Sequence, residues 1–138
     1  MKITVIKGTG EKQLIAIGNL RYGIISTDTV VGFAIQGRDA SGVFYTDSLL
    51  LSSEEIKLIC DYWRRREIHD LERGQALKAK GVSLKIEDNG LLRLSKRGRN
   101  RFFNVTCRKQ EFLNLLEDAY KRKIISVQNK KELNFNPK

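Results

Sequence analysis

Short apolar stretches separated by turn residues make up the first fifty positions of the chain. The stretch over residues 30–36 is rich in β-branched and apolar side chains and ends at Gly37. Stretches of this length that end at glycine, asparagine or aspartate are typical of strands joined by tight turns. The pattern therefore predicts an antiparallel meander. Its strands are expected at residues 3–6, 14–17, 21–26, 30–36, 43–45 and 49–51.

A helix follows this meander, and its start is well marked in the sequence. Ser52 is a good N-cap residue and Glu55 stands three residues later, which is the spacing of a capping box. Leu51 and Ile56 occupy the two positions of a hydrophobic staple around that cap. The apolar positions beyond it recur at the spacing of one helix face. They are Ile56, Ile59, Cys60 and Trp63. The sequence allows this helix to extend as far as Gly74.

The same order of elements recurs in the second half of the chain. Strands are predicted over residues 82–87, 91–95 and 101–106, with a second helix from about Arg108 to Arg122. An offset of 58 residues aligns the two halves, and one deleted residue brings the helices into register. The aligned pairs are Gly23 with Gly81, Gly32 with Gly90, Phe44 with Phe102, Asp61 with Asp118 and Trp63 with Tyr120. These identities are few, so an internal duplication and a chance recurrence both stay open.

The predicted fold class is therefore α+β, with antiparallel sheet and two helices packed on one side. A length of 138 residues suits a single domain over residues 1–138. If the recurrence is a tandem duplication, its repeats of four strands and a helix cover about residues 13–66 and 81–122. Residues 67–80 are then the junction, and the polar residues 129–138 are expected to form a frayed tail.

Charge changes the picture because it is confined to one half of the chain. Residues 1–63 carry six Lys/Arg and seven Asp/Glu, a net charge of −1. Residues 64–138 carry twenty Lys/Arg and nine Asp/Glu, a net charge of +11. A field of one sign on one half of a small protein is typical of a protein whose partner is a polyanion. Charge alone does not say which polyanion this is.

The second predicted hairpin concentrates this charge around a tight turn at Gly98. Cations neutralise phosphates, and exposed aromatic side chains stack on unpaired bases. The residues predicted to contact phosphate are Arg93, Lys96, Arg97, Arg99 and Arg101. Phe102 and Phe103 follow at once, and at most one of them can face outward because neighbours on a strand point to opposite sides. We expect Phe103 to be the one that stacks on a base.

The matching hairpin over residues 36–45 keeps the aromatic residues and loses most of the charge. Here Tyr45 is the expected stacking residue and Arg38 is expected at the rim of the site. A plainer interpretation of both hairpins stays open, in which the cations are solvated turn charges and the aromatic side chains belong to the core or cover an edge. The two interpretations differ in which of these side chains is exposed.

The residue types give little support to catalysis or metal binding. A structural zinc site needs four ligands, and the Cys and His residues of this chain are Cys60, Cys107 and His69. One histidine also makes a catalytic triad implausible. We therefore expect a protein that is not an enzyme and that uses no metal or cofactor. The cysteines are expected to be buried thiols in the cytoplasm, the nucleoid or the nucleus, and no apolar run approaches the length of a membrane span.

Strands followed by one helix, twice over and with basic hairpins, resemble a group of single-stranded nucleic-acid binders. The group comprises the whirly-type proteins, the positive-cofactor transcriptional coactivators and the PUR-repeat proteins. The resemblance covers about residues 13–122, and it implies a curved basic and aromatic sheet face with helices on the other side or at a dimer seam. This chain has no lysine-glycine-lysine motif of the whirly type, so no site residue is carried over from that group.

These observations predict a protein that binds nucleic acid, with single-stranded DNA or RNA favoured over duplex. Reversing the charge at Arg97 and Arg99 is expected to weaken binding at all sequences and to flatten its salt dependence. An alternative partner is an acidic surface of another protein, which a small regulatory or phage-type protein would occupy with its basic face. A third interpretation is a homodimer that pairs through Trp63 and Tyr120.

Overall fold

The computed structural model describes residues 2–3, 14–26, 31–38, 42, 48–98 and 102–126. These residues form two four-stranded antiparallel sheets, one two-stranded pair and two helices, so the predicted α+β class is confirmed. Neither helix in these ranges is long and apolar enough to cross a membrane.

Sheet 1 is a meander of four strands that leads into the first helix. It follows β1 (Lys2–Ile3), and each of its strands pairs with the next. Its elements are β2 (Ile15–Ile17), β3 (Leu20–Ser26), β4 (Val31–Gly37) and β5 (Leu49–Leu51), followed by helix α1 (Ser53–Arg64). The predicted capping box is confirmed. Ser52 Oγ accepts from the Glu55 N–H at 3.2 Å, and Glu55 Oε1 accepts from the Ser52 N–H at 2.8 Å.

Sheet 2 repeats this order in the second half of the chain. Its elements are β6 (Ala76–Ala79), β7 (Val82–Ile86), β8 (Leu92–Arg97) and β9 (Phe102–Cys107), followed by helix α2 (Lys109–Lys121). The final strand, β10 (Ile125–Ser126), pairs antiparallel with β1. The recurrence of four strands and a helix is therefore present in the structure, whereas descent from a duplicated ancestor stays a prediction.

Helix α1 is shorter than the sequence allowed. It ends at Arg64 rather than near Gly74, because Arg66 adopts a left-handed backbone conformation with φ 63°. The Glu67 N–H then donates to the Tyr62 carbonyl at 2.9 Å, which closes the last turn. The arginine triplet thus lies on a helix end, where cations offset the negative end of the helix dipole.

The expected junction between the halves contains a strand. Residues 76–79, inside the predicted junction 67–80, form β6 and pair along their whole length with β7. Alanine and lysine are weak strand formers, so this pairing rather than local propensity makes the strand. The predicted strand at 43–45 and the predicted tail at 129–138 lie outside the described residues.

The two units interlock because each helix reaches over the sheet of the other unit. Helix α2 packs on β2 and β3 of sheet 1, and α1 packs on β6 of sheet 2 as well as on β4 and β5. The Tyr22 hydroxyl in β3 donates to Asp118 Oδ2 in α2 at 2.5 Å. The Tyr62 hydroxyl in α1 donates to the Lys78 carbonyl in β6. As a result, one hydrophobic cluster contains residues of both sheets and both helices.

The glutamate at the start of each helix contacts a turn of the opposite unit. A Cβ atom added to Gly81, in the β6–β7 turn, would lie 2.7 Å from Glu55 Oε2 of α1. In the β2–β3 turn, the Asn19 N–H donates to Glu111 Oε2 of α2 at 3.2 Å. A Cβ atom on Gly18 in that turn would lie 3.1 Å from the same oxygen. The start of each helix therefore lies against a turn of the other unit.

The sequence alignment of the two halves holds at the helix ends and is wrong over the strands. Trp63 and Tyr120 each stand three residues before the left-handed residue that ends their helix. Gly23 lies within β3, whereas its aligned partner Gly81 lies in a turn. A single offset of 58 residues does not align the two sheets, because their strands and turns differ in length.

Trp63 and Tyr120 contact each other inside one chain. Their ring centroids are 6.1 Å apart and the ring planes are inclined at 65°, which is an edge-to-face arrangement. The contact joins α1 to α2. It therefore gives no support to a homodimer that pairs through these two residues.

Candidate nucleic-acid interface

The outward side of sheet 2 follows from strand alternation and register. In β8, Leu92 and Leu94 are buried while Arg93 between them is exposed, and paired residues on neighbouring strands point to the same side. We call the outward-pointing residues of the four strands the outer face. They are Ala76, Lys78, Ser83, Lys85, Arg93, Ser95, Arg97, Phe102, Asn104 and Thr106.

The outer face is basic. Lys78, Lys85, Arg93 and Arg97 are exposed cations, and the outward positions of these four described strands include no aspartate or glutamate. Cations spread over one side of a sheet are the electrostatic requirement for following a phosphate backbone. Part of the surplus of positive charge in the second half of the sequence thus lies on one side of sheet 2.

Two carboxylates beside this face pair with some of the nearby cations. Glu87 Oε1 lies 2.6 Å from Arg93 Nη1, and Glu54 Oε2 lies 2.6 Å from Lys80 Nζ in the β6–β7 turn. The hydrogen bond that Lys80 donates to Glu54 raises the pKa of Lys80. Arg97 has no carboxylate partner in the described ranges, which leaves its charge available to a phosphate.

A row of hydrogen-bonding side chains crosses the middle of the outer face. Register places Lys78 beside Ser83, Ser83 beside Ser95, and Ser95 beside Asn104. Hydroxyl and amide groups can donate to and accept from base edges, sugars and phosphates. The row therefore adds hydrogen-bond donors and acceptors to the outer face, whose lysines and arginines can only donate.

An exposed aromatic ring lies at one end of the outer face. Phe102 is 62% exposed and is the large apolar residue that the described chain leaves open to solvent. It stands directly opposite Arg97, whose guanidinium carbon is 5.8 Å from the ring centroid. That distance is within the range of a cation–π contact. Ring and cation together combine a stacking surface with a phosphate contact.

A shallow cavity of about 220 Å³ lies next to this ring. The charged, hydroxyl and aromatic groups around it are Lys78, Lys80, Ser83, Ser95, Arg97 and Phe102. Because it combines cations, hydroxyls and an aromatic edge, its chemistry suits a nucleotide better than an apolar ligand.

Lys96 and Phe103 do not belong to the outer face. They are cross-strand partners that point inward, since each follows or precedes an outward residue by one position. Lys96 Nζ donates to Glu55 Oε1 at 2.7 Å and to the Leu50 carbonyl at 2.8 Å. Phe103 packs against the core. The prediction that Phe103 is the outward ring is therefore wrong, and Phe102 takes that position.

The remaining predicted site residues are distributed differently. Arg93 and Arg97 lie on the outer face, and their contact with phosphate stays a prediction. Arg38 follows β4 in sheet 1, where it is exposed and its Nη1 donates to the Gly42 carbonyl at 3.3 Å. The other predicted residues lie outside the described ranges. They are Tyr45, Arg99 and Arg101.

The corresponding side of sheet 1 has a different character. Gly23 and Ala34 are cross-strand partners on it, and both are buried. Gln36 is 1% exposed, accepts from Arg21 Nε at 2.5 Å and donates to Ser48 Oγ at 2.9 Å. Its one strand cation, Arg21, is thus tied into this network, and sheet 2 carries the basic face.

The cysteines and the histidine are separate from this surface. Cys60 and Cys107 are buried free thiols, as predicted, and burial raises the pKa of both. Burial and the nearby Arg66 charge lower the pKa of His69, and its buried Nδ1 has no hydrogen-bond partner within the described ranges. In those same ranges no three His, Cys, Asp or Glu side chains are grouped as metal ligands.

Strand alternation was the signal that could have located the face from sequence. The apolar positions Leu92 and Leu94 put Lys96 in phase with the core and Arg93 in phase with Arg97. The hairpin register then pairs Arg97 with Phe102. The row of serines and Asn104 carries no comparable signal, because it depends on pairing across four strands.

A comparison of this chain with protein-family models, curated proteins and solved structures finds no match. The functional argument therefore depends on the residues of the outer face.

Proposed function

We propose that this protein binds single-stranded nucleic acid across the outer face of sheet 2. One observation carries the proposal, namely a sheet surface whose outward positions, in the strands that the structure describes, hold four exposed cations, one open aromatic ring and no aspartate or glutamate. The cations Lys78, Lys85, Arg93 and Arg97 would contact phosphates, and Phe102 would stack on a base.

Single strands are favoured over duplex because stacking on Phe102 requires an unpaired base. Aromatic stacking contributes about 1–3 kcal/mol per base in single-strand binders. A duplex can still use the cations, but its bases are already stacked on each other. The proposal covers DNA and RNA alike, since neither the ring nor the cations read the 2′-hydroxyl group.

The reducing interior of a cell would suit this role. Cys60 and Cys107 are free and buried, as in proteins that fold where thiols stay reduced. We therefore place the proposed activity in the cytoplasm, in the nucleoid or in a nucleus.

Fluorescence anisotropy with labelled single-stranded and duplex DNA and RNA tests the proposal at several salt concentrations. Arg97→Glu is the test variant, since Arg97 lies beside Phe102 and has no carboxylate partner in the described ranges. Lys121→Glu is the matched control, because Lys121 is an exposed cation on α2, which packs on sheet 1. Both substitutions change net charge equally.

The proposal predicts tighter binding of single strands than of duplex. It also predicts that Arg97→Glu flattens the slope of log K against log salt by about 0.7 or more, the value of one single-strand phosphate contact. Lys121→Glu should leave the slope close to wild type. Equal, weak binding of all four nucleic acids, or equal effects of the two variants, would overturn the proposal and favour an acidic protein surface as the partner.

A further inference from the structure

A second cavity lies on the other side of β9 from Phe102. It has a volume of about 360 Å³ and lies between residues of sheet 1 and the inward side of the β8–β9 hairpin. Ile25, Leu50 and Phe103 supply its apolar walls, and Lys96 and Ser48 supply polar groups. We call it the Lys96 cavity. Its volume is within the range of small-ligand pockets and exceeds the space that one base needs.

The polar groups of the Lys96 cavity can donate hydrogen bonds. The Lys96 ammonium has three N–H groups, and its described acceptors, Glu55 and the Leu50 carbonyl, account for two of them. Ser48 Oγ accepts from Gln36, and this bond does not use the hydroxyl proton of the serine. A ligand with acceptor groups is therefore favoured over one with donor groups.

The lysine is also held in place before any ligand arrives. Glu55 is 4% exposed and fixes the ammonium at 2.7 Å. A donor whose side chain is already ordered loses little conformational entropy on binding, which is the advantage of a preorganised site. The ion pair therefore orders the Lys96 ammonium in the absence of a ligand.

The Lys96 cavity shares one lining residue with the outer face. Arg97 lines both this cavity and the one beside Phe102. A strand whose phosphate sits on Arg97 can thus direct one base to Phe102 and a neighbouring base to the Lys96 cavity. Because Arg97 is shared, the occupant that we consider for this cavity is a part of the same nucleic acid.

We propose that the Lys96 cavity receives one unpaired base with a carbonyl oxygen at the position where cytosine and adenine carry an amino group, namely thymine, uracil or guanine. The inference builds on the proposed function and adds a base preference to it. At that position O4 of thymine and O6 of guanine accept hydrogen bonds, whereas the amino groups N4 of cytosine and N6 of adenine donate them. Lys96 and Ser48 would donate to the carbonyl, and Phe103 would contact the ring.

Competition anisotropy with oligothymidylate, oligodeoxyadenylate and oligodeoxycytidylate tests this inference. The test variant is Ile25→Phe, which fills the cavity from its apolar wall. Ile25→Val is the matched control at the same position. The wild type and Ile25→Val should prefer thymine over adenine and over cytosine by about 5-fold or more, the lower range for one specific base contact. Ile25→Phe should bind all three oligomers equally, with an unchanged salt slope.

The outcomes separate this inference from the proposed function. If wild type binds single strands without preferring thymine, or if folded Ile25→Phe keeps the preference, the base preference is wrong while the outer face stands. If wild type binds no oligonucleotide, both fail. Should a thermal melt show that Ile25→Phe does not fold, Ser48→Ala replaces it, with a reduced preference expected and an unchanged one contradicting the inference.

Discussion

Replacing Lys96 with methionine should destabilise the fold, although this lysine stands in a basic hairpin. Its ammonium bonds the Glu55 carboxylate at 2.7 Å and the Leu50 carbonyl at 2.8 Å. Methionine keeps the length of the apolar stem and removes both bonds. The Glu55 carboxylate, which is 4% exposed, then stays buried without its cation.

The expected magnitude follows from the surroundings of the pair. Removing one partner of a fully buried ion pair costs about 3–5 kcal/mol. The cost is smaller here for two reasons. The Lys96 side chain is 30% exposed, so water can partly solvate the Glu55 carboxylate, and Glu55 keeps its hydrogen bonds with Ser52. We expect the free energy of unfolding to fall by about 2 kcal/mol. In a protein of this size the melting temperature would fall by roughly 6–10 °C.

Urea unfolding followed by circular dichroism measures this loss, with Lys96→Met, Glu55→Gln and the double variant compared with wild type. The double variant should be more stable than Lys96→Met, because it no longer buries an unpaired charge. A Lys96→Met variant as stable as wild type would refute the reasoning. A double variant less stable than Lys96→Met would also refute it.

The same pair gives a pH test. Burial raises the pKa of Glu55, but hydrogen bonds from Lys96 and Ser52 outweigh it and hold the pKa below the ordinary value of 4.5. A carboxyl group with a lowered folded pKa contributes stability that is present above its unfolded pKa and is lost as the pH falls through the folded value. The stability difference between wild type and Glu55→Gln should therefore shrink in acid. A constant difference would contradict the assignment.

Three further predictions concern the stacking residue, one turn and one buried hydroxyl. Phe102→Ala should weaken single-strand binding about 5- to 150-fold in anisotropy titrations without lowering the melting temperature, and Phe102→Tyr should retain the affinity; unchanged binding by the alanine variant would exclude stacking there. Gly81→Ala should cost about 1–2 kcal/mol in urea unfolding, because its Cβ would lie 2.7 Å from Glu55 Oε2; a neutral result would mean that the carboxylate is not held. Tyr22→Phe should lower the free energy of unfolding by about 1.5 kcal/mol, because it removes the hydrogen bond to Asp118. An unchanged free energy of unfolding would show that this bond does not stabilise the packing of α2 on sheet 1.

Local sequence signals predicted much of the fold. The capping box at Ser52 and the apolar stripe of α1 predicted where that helix begins, and turn residues separated most of the strands. The helix end was missed because it depends on a left-handed arginine, Arg66, and not on a glycine. Strand β6 was missed because its residues become a strand through pairing with β7.

The sequence predicted a basic surface in the second half of the chain, but it predicted only some of the residues that form the outer face. The excess of cations in the second half was visible in the sequence, and two of the residues predicted to contact phosphate, Arg93 and Arg97, lie on the outer face. Lys96 was grouped with them by proximity along the chain, but its ammonium is used by a carboxylate from α1. Long-range contacts of this kind leave no local pattern, because the two residues come from different units of the fold.

The most direct test of the central claim is amide chemical-shift mapping of isotope-labelled protein titrated with a short oligothymidylate. The account predicts that the largest shifts fall on outer-face residues, in particular Lys85, Arg93, Ser95, Arg97 and Phe102. It also predicts that the exposed surfaces of α1 and α2 change little. Shifts confined to the helices, with the strands of sheet 2 unaffected, would contradict the account.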